Sequence, residues 1–205
     1  LGCVWKLEKL CRNKALKAAV AKPEKVKLFL NVDGNIIQDK AFIQGFTNRK
    51  AIKAGVPASD IVFEITERSD IENYQILQQI MKHYADQGYE IALDDVGAGH
   101  SGLNRVVNTT PDYLKADIEL VRDIHKYKKK EIMMKLLLDY CNATGAILIA
   151  EGIETAQELE CLHSLGVHYG QGFFLGKPER VFGNIGDEAA EILERRRSCA
   201  AENFS

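Results

Sequence analysis

The sequence predicts an α/β fold, a (β/α)₈ TIM-like barrel incomplete at its N-terminus, from three observations. Six short apolar runs alternate with amphipathic segments, the pattern of a parallel sheet covered by helices. The runs end in amide, carboxylate or lysine groups: Asn31, Glu64, Asp94, Asp95, Lys115, Glu151 and Gln171. In a barrel, chemistry gathers at the C-terminal ends of the strands. An open doubly wound sheet would carry a glycine-rich phosphate loop after its first strand, and none is visible. Only six strands are in view, so two are expected to lie outside this sequence or to go unrecognised within it.

Residues 1–20 carry a helical pattern in Leu7, Leu10, Cys11, Ala15, Leu16, Ala18 and Ala19, and Pro23 ends it. A strand is expected over 26–32, delivering Asn31, then a turn at Asp33-Gly34-Asn35. An amphipathic stretch over 39–54 is closed by Gly55 and Pro57. The run 61–67 reads as a strand bearing Glu64 and Glu67, and 70–87 as a helix stopped by Gly88. The strand 90–95 ends in Asp94-Asp95, followed by the loop Val96-Gly97-Ala98-Gly99-His100. Then come a short strand over 113–117 with Lys115 inside it, a helix over 129–144, and a strand over 146–151 ending in Glu151-Gly152-Ile153-Glu154. A helix over 155–165, a last strand over 169–174 and a closing helix over 186–197 complete the chain, with no structure expected after Ser198. Residues 1–182 are therefore read as the barrel domain and 183–205 as a C-terminal helix and tail.

Composition narrows the setting. A chain of 205 residues, 46% hydrophobic, suits one α/β domain with a large core. The net charge of −2 gives no reason to expect a nucleic-acid polymer as partner. Five cysteines, at 3, 11, 141, 161 and 199, form an odd set without paired short spacing. That argues against a disulfide framework or a zinc knuckle and for a reducing, cytoplasmic setting. No run approaches 18 apolar residues. The first residue is not Met and no signal peptide is read, so the chain is expected to be a piece of something longer, whose parent protein is free to carry a membrane anchor.

Four carboxylates and an amide at strand ends suit Mg²⁺ or Mn²⁺, which take oxygen ligands. Two metals sharing a bridging carboxylate are a standard arrangement for in-line phosphodiester hydrolysis. A lysine among the acids could orient a water or neutralise developing charge, and it fits equally a salt bridge inside a barrel. Asp94-Asp95 also fits an acidic turn. Glu67 and Glu154 also fit helix caps, and His100 reads as a loop residue.

Five ordered motifs carry a resemblance: Phe63-Glu64-Ile65-Thr66-Glu67, Asp94-Asp95-Val96-Gly97-Ala98-Gly99, Leu114-Lys115-Ala116-Asp117, Ala150-Glu151-Gly152-Ile153-Glu154 and Gln171-Gly172-Phe173. Over roughly residues 1–180 the chain resembles the EAL domain, whose members hydrolyse the bacterial second messenger cyclic di-GMP to linear pGpG. The resemblance implies that Asn31, Glu64 and Asp94 hold one metal, and that Asp94 and Asp95 bridge to a second with Glu151 close by. It implies that Lys115 positions the attacking water, Gln171 sits at the substrate, and Glu67 braces the glycine loop. Asp117 and Glu154 are assigned with Gln171 to the substrate side, supporting the site from behind. It also implies a fused sensor or GGDEF-type domain in the parent protein, and a homodimer. The alternative is an inactive receptor or regulatory domain that binds cyclic di-GMP without cutting it. The Glu-Ala-Leu tripeptide that names the family, and the phosphate-binding arginine after it, do not occur in this sequence. Val96, Ala98 and His100 stand where Phe, Thr and Tyr are usual. A protein truly beginning at Leu1 is expected to be inactive and metal-poor.

Overall fold

A run of apolar residues becomes a buried parallel strand when both faces are covered, and Ile61–Ile65 does so with all five residues buried. A computed structural model of the chain describes residues 4–34, 36, 39–65, 74–97, 102–179 and 182–202. Two units divide it, residues 1–94 with 101–113, and residues 95–100 with 114–205. In both units short strands alternate with helices along the chain.

The first unit opens with helix α1 (Val4–Ala19), whose buried residues are Trp5, Arg12, Leu16 and Ala19. Leu7 and Leu10, expected on the core face, are 63% and 52% exposed. The apolar stripe runs through Arg12 instead. Its guanidinium lies over the rings of Trp5, Phe63 and Tyr84. It also donates to Glu8, to Thr47 Oγ1 at 3.1 Å and to the Tyr84 hydroxyl at 3.2 Å. A buried guanidinium is tolerated only when paired and hydrogen-bonded in this way.

Strand β1 (Leu28–Val32) is shorter than expected. Helix α2 (Phe46–Ala54) begins seven residues after the expected start at 39, because Gly45 takes a left-handed conformation at φ 68°. Strand β2 (Ile61–Ile65) precedes helix α3 (Tyr74–Ala85), and the expected extensions over 66–73 lie outside the described residues. Strand β3 (Glu90–Val96) follows, then helix α4 (Gly102–Asn108), which the sequence pattern did not announce. Strands β1 and β2 pair in parallel with Asn31 opposite Glu64, and β2 and β3 with Glu64 opposite Ala92.

The second unit contains β4 from Leu114 onward (the strand is Tyr113–Ala116), α5 (Ile118–Val121), a 3₁₀ turn over Ile124–Lys126 and the long helix α6 (Lys128–Thr144). Strand β5 (Ile147–Ala150) and helix α7 (Ala156–Leu165) come next. The last strand, β6, is only Tyr169–Gly170, paired in parallel with Ile149 and Ala150. The expected continuation to 174 fails because the chain turns, with the Phe174 N–H donating to the Ile153 carbonyl and the Leu175 N–H to that of Gly172. Helix α8 (Asp187–Glu202) packs on α7 and runs beyond its expected end at 197. Among the described residues Cys11, Cys141 and Cys161 are free thiols. Burial pushes the Cys141 thiol up to about 11. No helix among the described residues is long and apolar enough to cross a membrane.

Candidate active site

In a parallel pair, residues in register point to the same face. Asn31 and Glu64 are therefore neighbours on one face of the first unit's strands. Asp94, two residues beyond Ala92 on β3, returns to that same face. Glu64 is buried and Asn31 exposed. The three residues expected to share one cation thus share one face near the C-terminal ends of their strands.

Consecutive strand residues normally face opposite ways, and Asp94-Asp95 escapes this locally. Asp95 sits at φ 57°, one of three described non-glycine residues with positive φ. Aspartate tolerates that region better than most residues. Broken alternation lets one carboxylate oxygen of Asp94 and one of Asp95 lie within 4.8 Å of each other. Backbone strain of this kind concentrates at functional positions.

In the second unit, β4 and β5 bring their charged residues together. Lys115 Nζ lies 2.5 Å from Glu151 Oε1, with the lysine side chain 5% and the glutamate 16% exposed. Oxygens of Asp95 and Glu151 also approach within 4.8 Å. Backbone bonds fix the frame, since the Glu151 N–H donates to the Ala116 carbonyl at 3.0 Å and the Asp117 N–H to the Val96 carbonyl at 3.1 Å. Carboxylate oxygens gathered this closely, with a buried lysine paired to one of them, suit an oxygen-preferring divalent ion and a polarised water.

The remaining expected residues separate. The Gln171 N–H donates to the Ala150 carbonyl at 2.8 Å and its carbonyl accepts from the Ile153 N–H at 3.0 Å, so its exposed side chain is carried beside Glu151's segment. The Asp117 carboxylate caps α5, accepting the Glu119 N–H at 2.7 Å. Glu154 is half-exposed and paired with Arg122 at 3.3 Å. It does not cap α7; Thr155 does, in a capping box with Glu158. Glu67 and His100 lie outside the described residues.

Two close approaches hold the segment after β5. Gly152, at φ 70°, leaves no room for a methyl beside the Ile118 side chain, and a methyl at Gly172 would overlap the Ile153 backbone.

Sequence reasoning passed over three charged residues. Glu158 is 3% exposed and accepts the N–H groups of Asp123 at 2.8 Å, Glu154 at 2.9 Å and Thr155 at 3.0 Å. The signal was present as Thr155-x-x-Glu158, a capping-box spacing. Glu8 and Arg12 lie among the charges between the apolar positions of the first helical pattern. Glu8 accepts the Asp33 N–H at 2.7 Å as well as bonding Arg12.

The fold and the strand-end groups define a class, a parallel α/β protein with its acids and lysine at the C-terminal ends of strands. A family model described as the EAL domain matches residues 2–178, and the chain belongs to that family. The cyclic di-GMP phosphodiesterase PdeB of Shewanella oneidensis is 26% identical over 150 residues, which are 73% of this chain and 17% of PdeB. The chain thus spans about a fifth of the length of the curated relatives it matches. Among solved structures, Klebsiella pneumoniae BlrP1 in its calcium and cyclic di-GMP complex is 29% identical with a TM-score of 0.82, covering 89% of this chain and 47% of that one. The same protein is known in a manganese complex with cyclic di-GMP. A standalone EAL protein from Vibrio cholerae O395, with cyclic di-GMP bound, is 27% identical with a TM-score of 0.79, covering 90% and 78% of the two chains. These likenesses bear out the fold class and family read from the motifs.

Proposed function

We propose that this chain is the phosphodiesterase domain of a protein that hydrolyses cyclic di-GMP to linear pGpG with Mg²⁺ or Mn²⁺. The observation that carries the reading is the buried Lys115–Glu151 pair with Asp95 beside Glu151, set in a chain whose relatives are cyclic di-GMP phosphodiesterases. Asn31, Glu64 and Asp94 would hold one ion, and Asp94 and Asp95 a second. When bound, the ions would supply Lewis acidity and lower the pKa of a coordinated water.

The chain's own groups account for the rest. Linear pGpG keeps its 5′ phosphate, so the water oxygen joins phosphorus as the bond to the ribose 3′ oxygen breaks. Lys115, paired with Glu151, orients that water and faces the negative charge developing on the phosphoryl oxygens. Gln171 would lie on the substrate side with Asp117 and Glu154 supporting it, and Glu67 would brace the glycine loop. We assign residues 1–182 to the barrel domain and 183–205 to a closing helix. The parent protein would be cytoplasmic or membrane-anchored, carry a sensor or GGDEF-type domain, and pair as a homodimer.

The test is turnover of cyclic di-GMP by the full-length protein after chelation and after restoring Mg²⁺ or Mn²⁺. Metal-dependent appearance of pGpG supports the reading, and Lys115→Ala should then lower turnover about 10²-fold or more while sparing metal binding. Undiminished activity after chelation would sink it. Tight dinucleotide binding without any product would leave the receptor reading in its place.

A further inference from the structure

A pair such as Lys115–Glu151 has useful geometry only if the segments after β4 and β5 are fixed against each other. Following the chain from Lys115 leads through Asp117 and α5 to Asp123, a non-glycine residue at φ 54°. Following it from Glu151 leads to Glu154 and Thr155 within four residues. Both paths end on one side chain. Glu158 Oε1 accepts the Asp123 N–H and Oε2 accepts the N–H groups of Glu154 and Thr155. The Gly152–Ile118 packing and the more exposed Arg122–Glu154 pair are further contacts between the same two segments.

We propose that Glu158 is a positioning residue: a buried carboxylate that ties the segment following Lys115 to the segment following Glu151 and so sets the Lys115–Glu151 geometry. Glu158 touches neither residue of the pair through any bond described above, and it acts through backbone. Three N–H donors on one carboxylate are matched only by an ionised acid with both oxygens accepting. Glutamine replaces it only in part: its one oxygen can keep the Glu154 and Thr155 N–H groups, while its amide nitrogen would face the Asp123 N–H as donor to donor. As regards catalysis, the inference rests on the phosphodiesterase reading; its structural part does not.

The experiment compares wild type, Glu158→Gln, Glu158→Ala and the control Glu131→Gln in the full-length protein. Glu131 is a partly exposed residue of α6, paired with Lys128 and outside both of the tied segments. Two readouts are taken. The first is the ¹H–¹⁵N resonance of the Lys115 ammonium, together with amide hydrogen exchange at Asp123 and Glu154. The second is kcat and KM for cyclic di-GMP. Expected are a shifted or exchange-broadened Lys115 resonance, faster exchange at both amides, and a kcat lowered about 10–100-fold, the range for lost supporting contacts. KM should stay within about twofold, because the substrate-facing groups are intact. Glu131→Gln should change none of these. A Lys115 resonance and amide exchange unchanged in both Glu158 variants would overturn the proposal, as would an unchanged kcat in an active enzyme. If wild type releases no pGpG, the phosphodiesterase reading fails, and the Lys115 resonance still decides whether Glu158 positions the pair.

Discussion

Among the described residues, Glu8 in the first unit and Glu158 in the second are glutamates largely shielded from water that accept backbone N–H groups, and the two behave oppositely. Glu8 has a formal counter-ion, Arg12, and one N–H from Asp33. Burial nevertheless dominates and pushes its carboxyl above the ordinary value of 4.5. Glu158 is also opposed by burial, but the N–H groups of Asp123, Glu154 and Thr155 together with the Thr155 hydroxyl outweigh it and hold it below that value. Several fixed dipoles converging on one carboxylate favour its charge more effectively than one guanidinium that is itself deeply buried and spread over three aromatic rings. The first arrangement locks a core; the second joins two segments of backbone.

The sharpest way to break this contrast is to remove one partner of the buried pair. Glu8→Ala should cost about 3–5 kcal/mol in urea denaturation, because Arg12 loses its counter-ion in the core. Adding Arg12→Met should restore much of that loss. A double variant no better than the single would show that Arg12 is held mainly by Thr47, Tyr84 and the rings. Glu158→Ala should cost less, about 1–3 kcal/mol, since the freed N–H groups lie nearer to water.

The pH dependence separates the two residues by sign. A carboxylate lowered in the fold contributes stability above its ordinary value, and that stability is lost as pH falls through the lowered pKa. Glu158→Gln should therefore flatten part of the acid-side loss below about 4.5. A carboxylate raised in the fold does the reverse, since ionising it weakens the fold as pH rises from 4.5 through the raised pKa. Glu8→Gln should remove that decline. Denaturation midpoints across pH 3–7, as an approximate working window, check both; slopes of the same sign in the two variants would dissolve the contrast. The smallest effect is expected from Thr155→Ala, about 1 kcal/mol for a lost N-cap, read as a lower melting temperature with little change in the pH slope.

The fold was legible where one signal dominated. The apolar runs at 61–65 and 147–150 became strands near their expected limits, and Gly55 ended α2 as anticipated. Legibility failed where a short element had no periodicity to show. Helices α4 and α5 have seven and four residues, too few to display a stripe. It failed also where chemistry misled. A charged Arg12 among Lys6, Lys9 and Lys14 looks solvated, yet it sits seven residues after Trp5 and four before Leu16, on the buried stripe. At the candidate site, the strand-end rule found Lys115, Glu151 and the Asp94-Asp95 pair. It said nothing of what stands behind them, since Glu158 lies on a helix and reaches other segments only once the chain is folded.

The tight spot at Gly172 has a consequence for sequence variation. What opposes a side chain there is the Ile153 main chain, present whatever residue 153 becomes, so no compensating substitution can make room. At Gly152 the obstacle is the Ile118 side chain, which a smaller residue at 118 would withdraw, although the positive φ persists. In a saturation library selected for folding, position 172 should collapse to a single letter on any background. Position 152 should admit alanine or asparagine only in company with a trimmed residue 118. One glycine is an absolute constraint on the lineage, and the other is negotiable in pairs.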